Sequence, residues 1–202
     1  MPNPLKASGR ARAAIAAVVA LSTSIGGVLY VKTPGGQQIP AAVVLASNTL
    51  VKPWEGEALK AYLDRVAKPP IWTICDGDTQ NVRPGMVETP AGCNNRLVTR
   101  MTQEFYPALQ KCVVGFDHKP LSWQAMMLSL SWNIGSWKAC HSDAADYGRR
   151  NLFMSSCVAA TRYNKAGGKV IIGLKKRREN GDAQRIGEAE LCVSGLEIKE
   201  AK

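Results

Sequence analysis

Glu55 and Asp64 are two carboxyl side chains nine residues apart in contrasting settings. Glu55 follows an apolar run and Trp54 and precedes a glycine, whereas Asp64 precedes Arg65 in a more polar stretch. Apolar surroundings favour the protonated form of a carboxyl group and polar surroundings the ionised form. Such a pair can protonate a leaving oxygen on one side and activate water on the other, as hydrolysis of a glycosidic bond requires. Thr73, between Trp72 and Ile74, adds a hydroxyl suited to holding that water. Two acids at this spacing are common in proteins, and the spacing does not give the carboxylate separation that distinguishes retention from inversion. Glu57 is a rival acid that lacks a following glycine, and Thr79 is a rival hydroxyl.

These residues need elements to hold them. Residues 40–51 are apolar and open on Pro40, which is tolerated in a first helical turn, so a helix docked on the domain is expected before Glu55. Pro69-Pro70 excludes helix and central strand; Ile71 to Cys75 then has strand character, and Asp76-Gly77-Asp78 is a turn signal. The acids are thus expected at the edges of a small hairpin sheet. Thr89-Pro90 is a helix start, and Leu97, Met101, Phe105 and Leu109 recur at helical spacing, with Pro107 expected to kink or divide the element. Residues 121–137 are apolar on nearly all sides and predict a helix buried in a bundle, its Met and Trp side chains chiefly core. Residues 152–164 predict a further helix, stopped by Gly167-Gly168.

Taken together, the motifs resemble the phage-type lysozymes, the endolysins of glycoside hydrolase family 24. The resemblance rests on Glu55-Gly56, on Leu59-Lys60-Ala61-Tyr62-Leu63-Asp64, on Trp72-Thr73-Ile74-Cys75 with Asp76-Gly77-Asp78-Thr79, and on Trp132-Asn133-Ile134-Gly135. It extends to Arg162-Tyr163-Asn164-Lys165-Ala166-Gly167-Gly168-Lys169 and Gly173-Leu174-Lys175-Lys176-Arg177-Arg178, and covers roughly residues 40–192. It implies an α+β, mainly helical lysozyme-like fold: a small β-hairpin lobe and a larger helical lobe joined by a long helix. It also implies an inverting muramidase that cuts the β-1,4 bond between N-acetylmuramic acid and N-acetylglucosamine in peptidoglycan. Glu55 would be the general acid, Asp64 the base and Thr73 the holder of the water. Trp132, Asn133, Gly135 and Tyr163 would line the sugar cleft, and one of Arg177 and Arg178 would reach back to Glu55. No metal or cofactor is implied. The sequence departs from the pattern at Tyr163, which replaces a tryptophan, at Lys68-Pro69-Pro70, which lengthens the gap before Thr73, and at residues 180–188, which look inserted. The competing reading is a non-catalytic, membrane-anchored wall-binding or inhibitor module on the same shell.

The net charge of +10 suits an anionic partner such as a cell-wall polymer; no arginine-rich arm or zinc finger points to nucleic acid. The six cysteines form no C-x-x-C pair and have only two histidines for company, which argues against zinc; their even number fits three disulfides in an oxidising compartment, with 15 connectivities open. None lies in residues 1–50. Lys6, Arg10 and Arg12 precede an uncharged run, residues 13–31, whose 19 residues would span roughly 28 Å as a helix. The positive flank leaves the N-terminus in the cytoplasm and sends the rest outward. Eight large aliphatics are diluted by Ala, Gly, Ser and Thr, so the run is weakly apolar. The expected organisation is a basic cytoplasmic region (1–12), a signal-arrest-release or transmembrane segment (13–31), a linker (32–39) and a catalytic domain (40–202). The monomer would be tethered to the host inner membrane with its domain in the periplasm and then released. A permanent anchor, or a signal peptide cleaved near residues 44–47, are the alternatives.

Overall fold

The structure, a computed structural model, describes residues 4–65 and 69–197. Residues 1–3 of the expected basic region, Lys68 of the diprolyl insertion, and residues 198–202 of the expected domain lie outside the described residues.

The chain opens with α1 (Gly9–Ala20), followed by the antiparallel strands β1 (Ser22–Ile25), β2 (Val28–Lys32) and β3 (Gln38–Pro40). Here the structure departs from the sequence expectation: residues 13–31 are not one helix. Beyond Ala20 the chain is rich in Ser, Thr and β-branched residues, which favour extended backbone. Gly26-Gly27 then supplies the tight turn between β1 and β2. Among the described residues no helix is long and apolar enough to cross a membrane. Instead α1 buries Ala11, Ile15 and Val18 in the main core.

A nearly continuous helical rod follows: α2 (Ala41–Ala46), a π-helical turn (Ser47–Val51) and α3 (Lys52–Glu55). This is the expected docked helix, and Val43, Leu45, Leu50 and Val51 are fully buried. The strands β4 (Ala58–Asp64) and β5 (Ile71–Cys75) then pair antiparallel and form, with the loop to residue 88, a small lobe. Its core is Ile74 with the Cys75–Cys93 disulfide, covered by Leu59, Ala61, Val82 and Met86.

Thr89 caps α4 (Pro90–Arg100), its hydroxyl accepting from the Gly92 amide at 3.0 Å. A second π-helical turn (Met101–Phe105) separates α4 from α5 (Tyr106–Cys112). Both π turns immediately precede a helix with proline in its first two positions, Pro53 and Pro107. Proline has no amide to donate and its ring crowds the carbonyl four residues back, so a widened turn accommodates it without breaking the rod. Thus Pro107 divides the connecting helix, as expected.

The large lobe wraps α6 (Leu121–Ile134), whose residues from Ser122 to Ser131 are all buried. The helix ends at Gly135, at φ +86°, a backbone setting open to glycine and costly for other residues. The expected continuation to Trp137 is therefore absent: Trp137 belongs to a separate short helix, α7 (Ser136–Cys140), and is 72% exposed. Next come α8 (Asp143–Arg149) and α9 (Phe153–Ala160). Gly167-Gly168 is not a helix stop; it is the turn of a hairpin, β6 (Lys165–Ala166) with β7 (Lys169–Val170). α10 (Ile172–Arg178) and α11 (Glu188–Glu197) close the chain, α11 lying against α6, α9 and α1.

Cysteines pair in sequence order, Cys75–Cys93, Cys112–Cys140 and Cys157–Cys192.

Candidate active site

Glu55 is the last residue of α3, and Gly56 (φ +73°) turns the chain straight into β4. A side chain at Gly56 would strain that reversal, which gives the Glu-Gly pair its physical reason. Asp64 ends β4 opposite Ile71, and Tyr62 stands opposite Thr73. Residues facing each other across an antiparallel pair share a face, as do residues two apart on one strand. Asp64, Tyr62 and Thr73 therefore lie on one face of the hairpin. The hydroxyl of Thr73 donates to the Ile71 carbonyl at 3.3 Å, which leaves its oxygen able to accept. Burial pushes the Tyr62 phenol above its ordinary value, and the charges of Asp64 and then Glu55 push it further, so both acids act on the same phenol.

The helical lobe fixes Glu55 from the other side. Arg177, near the end of α10, donates to Glu55 Oε1 at 2.6 Å. Arg177 is itself buried and pairs with Glu188 at 3.1 Å. Glu188 also takes Arg178 and accepts from the Ser129 hydroxyl at 2.7 Å. The result is a dry cluster of two arginines around one carboxylate, with Glu55 at its open edge. Burial pulls the Arg177 guanidinium down, but Glu55 and Glu188 outweigh it and hold the group above its ordinary value. Of the two candidate arginines, Arg177 contacts Glu55; Arg178 turns to Asn133 and to the Tyr163 carbonyl.

The remaining predicted residues sit around this cluster. Trp132 donates its indole N–H to the Asp76 carbonyl at 2.9 Å, tying α6 to the turn after β5. Asn133 is exposed, and its Oδ1 accepts from Arg178, which leaves its amide nitrogen as a donor. Gly135 ends α6 beside them. The Tyr163 ring is partly buried against the main core, and its backbone carbonyl accepts from Arg178 at 3.1 Å. Among the described residues no group of three or more His, Cys, Asp or Glu side chains has the arrangement to hold a metal ion.

Sequence reasoning did not single out Glu188, and it quoted Tyr62 and Asp76 only as members of motifs, without a role. Glu188 fell at the edge of the apparent insertion; the signal for it was the Arg177-Arg178 pair, since two adjacent buried arginines require an acid. The insertion itself braces the site. The Trp54 indole donates to the Ile186 carbonyl at 2.8 Å, and Arg185 lies over the Trp54 ring at 3.9 Å.

The family model described as "Phage lysozyme" matches residues 52–181. The chain belongs to the phage lysozyme family. It is accordingly a muramidase-type glycoside hydrolase, a lysozyme that hydrolyses peptidoglycan, and its place of action is periplasmic or extracellular. Solved structures agree on the fold. A phage P22 lysozyme variant is 26% identical over 78% of this chain and 99% of its own, with a TM-score of 0.60. The active form of P1 phage endolysin Lyz is 17% identical over 96% of this chain and 97% of its own, with a TM-score of 0.60. The endolysin of Escherichia coli O157:H7 phage FAHEc1 is 22% identical over 78% and 94%, with a TM-score of 0.59. No curated protein matches the chain.

Proposed function

We propose that this lysozyme cleaves the β-1,4 bond between N-acetylmuramic acid and N-acetylglucosamine with inversion. In this reading Glu55 donates its proton to the glycosidic oxygen, Asp64 takes a proton from the attacking water, and Thr73 orients that water. The observation that carries the proposal is the shared face of Asp64, Tyr62 and Thr73, with Glu55 acting on the same Tyr62 phenol from the opposite end of β4. Arg177 occupies Glu55 Oε1, so Oε2, the oxygen on the Gly77 side, is the one from which this reading delivers the proton. The hydroxyl of Thr73 keeps an accepting lone pair for water, and Asp64 lies two residues along β4 from Tyr62, the cross-strand partner of Thr73, on the same face. Removal of a general acid costs about 10²–10⁴-fold in rate. Glu55→Gln is therefore expected to lose at least about a hundredfold of peptidoglycan clearing while keeping its melting profile. Full activity in that folded variant would overturn the assignment.

Export and release are the second part of the proposal. Residues 13–31 serve as a weakly apolar membrane segment during export, hold the domain at the inner membrane, and leave the bilayer when the membrane potential collapses. The low apolar content of the segment supports this, as does the docked arrangement described above, in which α1 and the β1–β3 sheet pack on the catalytic lobe. Fractionation before and after collapse of the potential tests it; protein that never leaves the membrane fraction would refute release.

A further inference from the structure

The chain has five tryptophans, and four are buried or half-buried; Trp137 alone is largely exposed, at 72%. An isolated exposed aromatic is ordinary, but this one is held in place. Its ring stacks on His141 at 4.4 Å between centroids with 28° between planes, and His141 Nδ1 lies 2.8 Å from the Trp137 carbonyl oxygen. Trp137 lies in the short helix α7 and His141 caps its C-terminus, and α7 is tied to α5 by the Cys112–Cys140 disulfide. Arg149 braces the same junction by donating to the Cys112 and Cys140 carbonyls at 3.1 and 3.2 Å. One face of the indole is thus covered by imidazole and the other is open.

Its position along the chain is equally specific. Trp132 bonds the turn after β5, and Asn133 bonds Arg178 beside the Glu55–Arg177 pair. Trp137 follows Asn133 by four residues, so their Cα atoms are no more than about 14 Å apart even for extended chain. Lys138 and Lys111, both exposed, flank the disulfide. A rigid exposed aromatic plane offers an apolar face of matching size to the C–H face of a pyranose ring, and neighbouring ammonium groups suit carboxylates on the same polymer.

Building on the lysozyme reading of the site, we propose that Trp137 is a sugar-stacking platform: a distal subsite that takes a further N-acetylhexosamine of the glycan strand beyond the residues flanking the cleaved bond. It acts through binding alone and touches no reacting atom.

The test uses the full chain carrying Glu55→Gln, so that ligand is bound and not consumed. The probes are the dimer and the hexamer of β-1,4-linked N-acetylglucosamine, titrated by calorimetry against the single variant and against the same chain with Trp137→Ala or Trp137→Phe. Loss of one aromatic stack weakens binding about tenfold. The expected result is a hexamer dissociation constant about tenfold higher with Trp137→Ala, part of the loss recovered with Trp137→Phe, and dimer binding unchanged. In the otherwise unaltered enzyme the same substitution raises KM on peptide-free glycan strands and leaves kcat alone. Equal hexamer binding with and without the indole would overturn the subsite and leave the lysozyme reading intact. Failure of the Glu55→Gln chain itself to bind either oligosaccharide would count against both. Because the ring is solvent-exposed, melting of the Trp137 variants should match the parent, which separates lost binding from lost fold.

Discussion

Replacing Glu188 by glutamine tests whether the buried charge cluster is as dry as it is drawn. Glu188 and Arg178 are fully buried and Arg177 has 4% side-chain exposure, so none of the three has water to fall back on. In the variant Arg177 keeps Glu55, but Arg178 is left with the neutral acceptors Asn133 and the Tyr163 carbonyl. Stranding a buried charge in this way costs about 3–5 kcal/mol. For a chain of this length each kcal/mol moves the melting temperature by roughly 2–4 °C, so Glu188→Gln should melt about 6–20 °C lower. Thermal and urea unfolding with the disulfides intact measure the loss. A second variant sharpens the reasoning: Arg178→Met combined with Glu188→Gln removes the stranded charge and should recover a large part of the deficit, since apolar replacements of buried ion pairs are often tolerated. A loss below about 1 kcal/mol for Glu188→Gln would mean the cluster is hydrated, and the account of how Arg177 is held against Glu55 would fail with it.

Two further outcomes follow from titrating groups. Burial raises the Asp76 carboxyl above its ordinary value; Lys52 works against this, and Glu57 and Glu55 add to it. Both folded and unfolded forms are protonated in strong acid, so the folded state loses stability as the pH rises past the unfolded value of about 3.9. Asp76→Asn should therefore melt higher than the parent at pH 7 and alongside it near pH 3; an unchanged difference across that range would refute the sign. Glu190 behaves oppositely: burial would raise it, but hydrogen bonds from Arg10, Ser8 and the Gly187 amide, together with the Arg10 charge, hold it below its ordinary value. Its contribution is complete above the ordinary value of 4.5 and is lost as the pH falls through the lower folded value. Hydrogen-exchange protection in residues 9–20, taken relative to the intrinsic rate at each pH, should fall in acid, and Arg10→Met should show the lower protection already at pH 7; protection that ignores both changes would refute the clamp.

The catalytic lobe was legible because local rules and packing agree there. Thr89-Pro90 starts a helix wherever it stands, and Pro107 divides one for steric reasons that need no tertiary context. Glu55, Asp64 and Thr73 were singled out through motifs that resemble those of the phage-type lysozymes, and Gly56 and the Tyr62–Thr73 register give a local physical reason for the spacing of those motifs. What sequence could not decide was set by long-range contacts. Residues 22–31 pass equally for a weak apolar helix or for a hairpin, and the docked surface selects the hairpin. The choice of Arg177 over Arg178 depends on how α10 meets α3, 122 positions away in the chain. Trp137 read as core because the apolar run appeared continuous, and only the backbone break at Gly135 turns it outward.

The order of the disulfides has a consequence for biogenesis. The first cysteine is joined to the second, the third to the fourth and the fifth to the sixth, with separations of 18, 28 and 35 residues. In the proposed export, residues 13–31 are held in the membrane and the chain beyond them emerges in sequence order, presenting its thiols one at a time. An oxidant that couples each newly arrived thiol to the one still waiting would produce the native set without any bond having to be undone. The three covalent loops lie end to end and do not enclose one another, so in the proposed export each can close before the cysteines of the next have emerged.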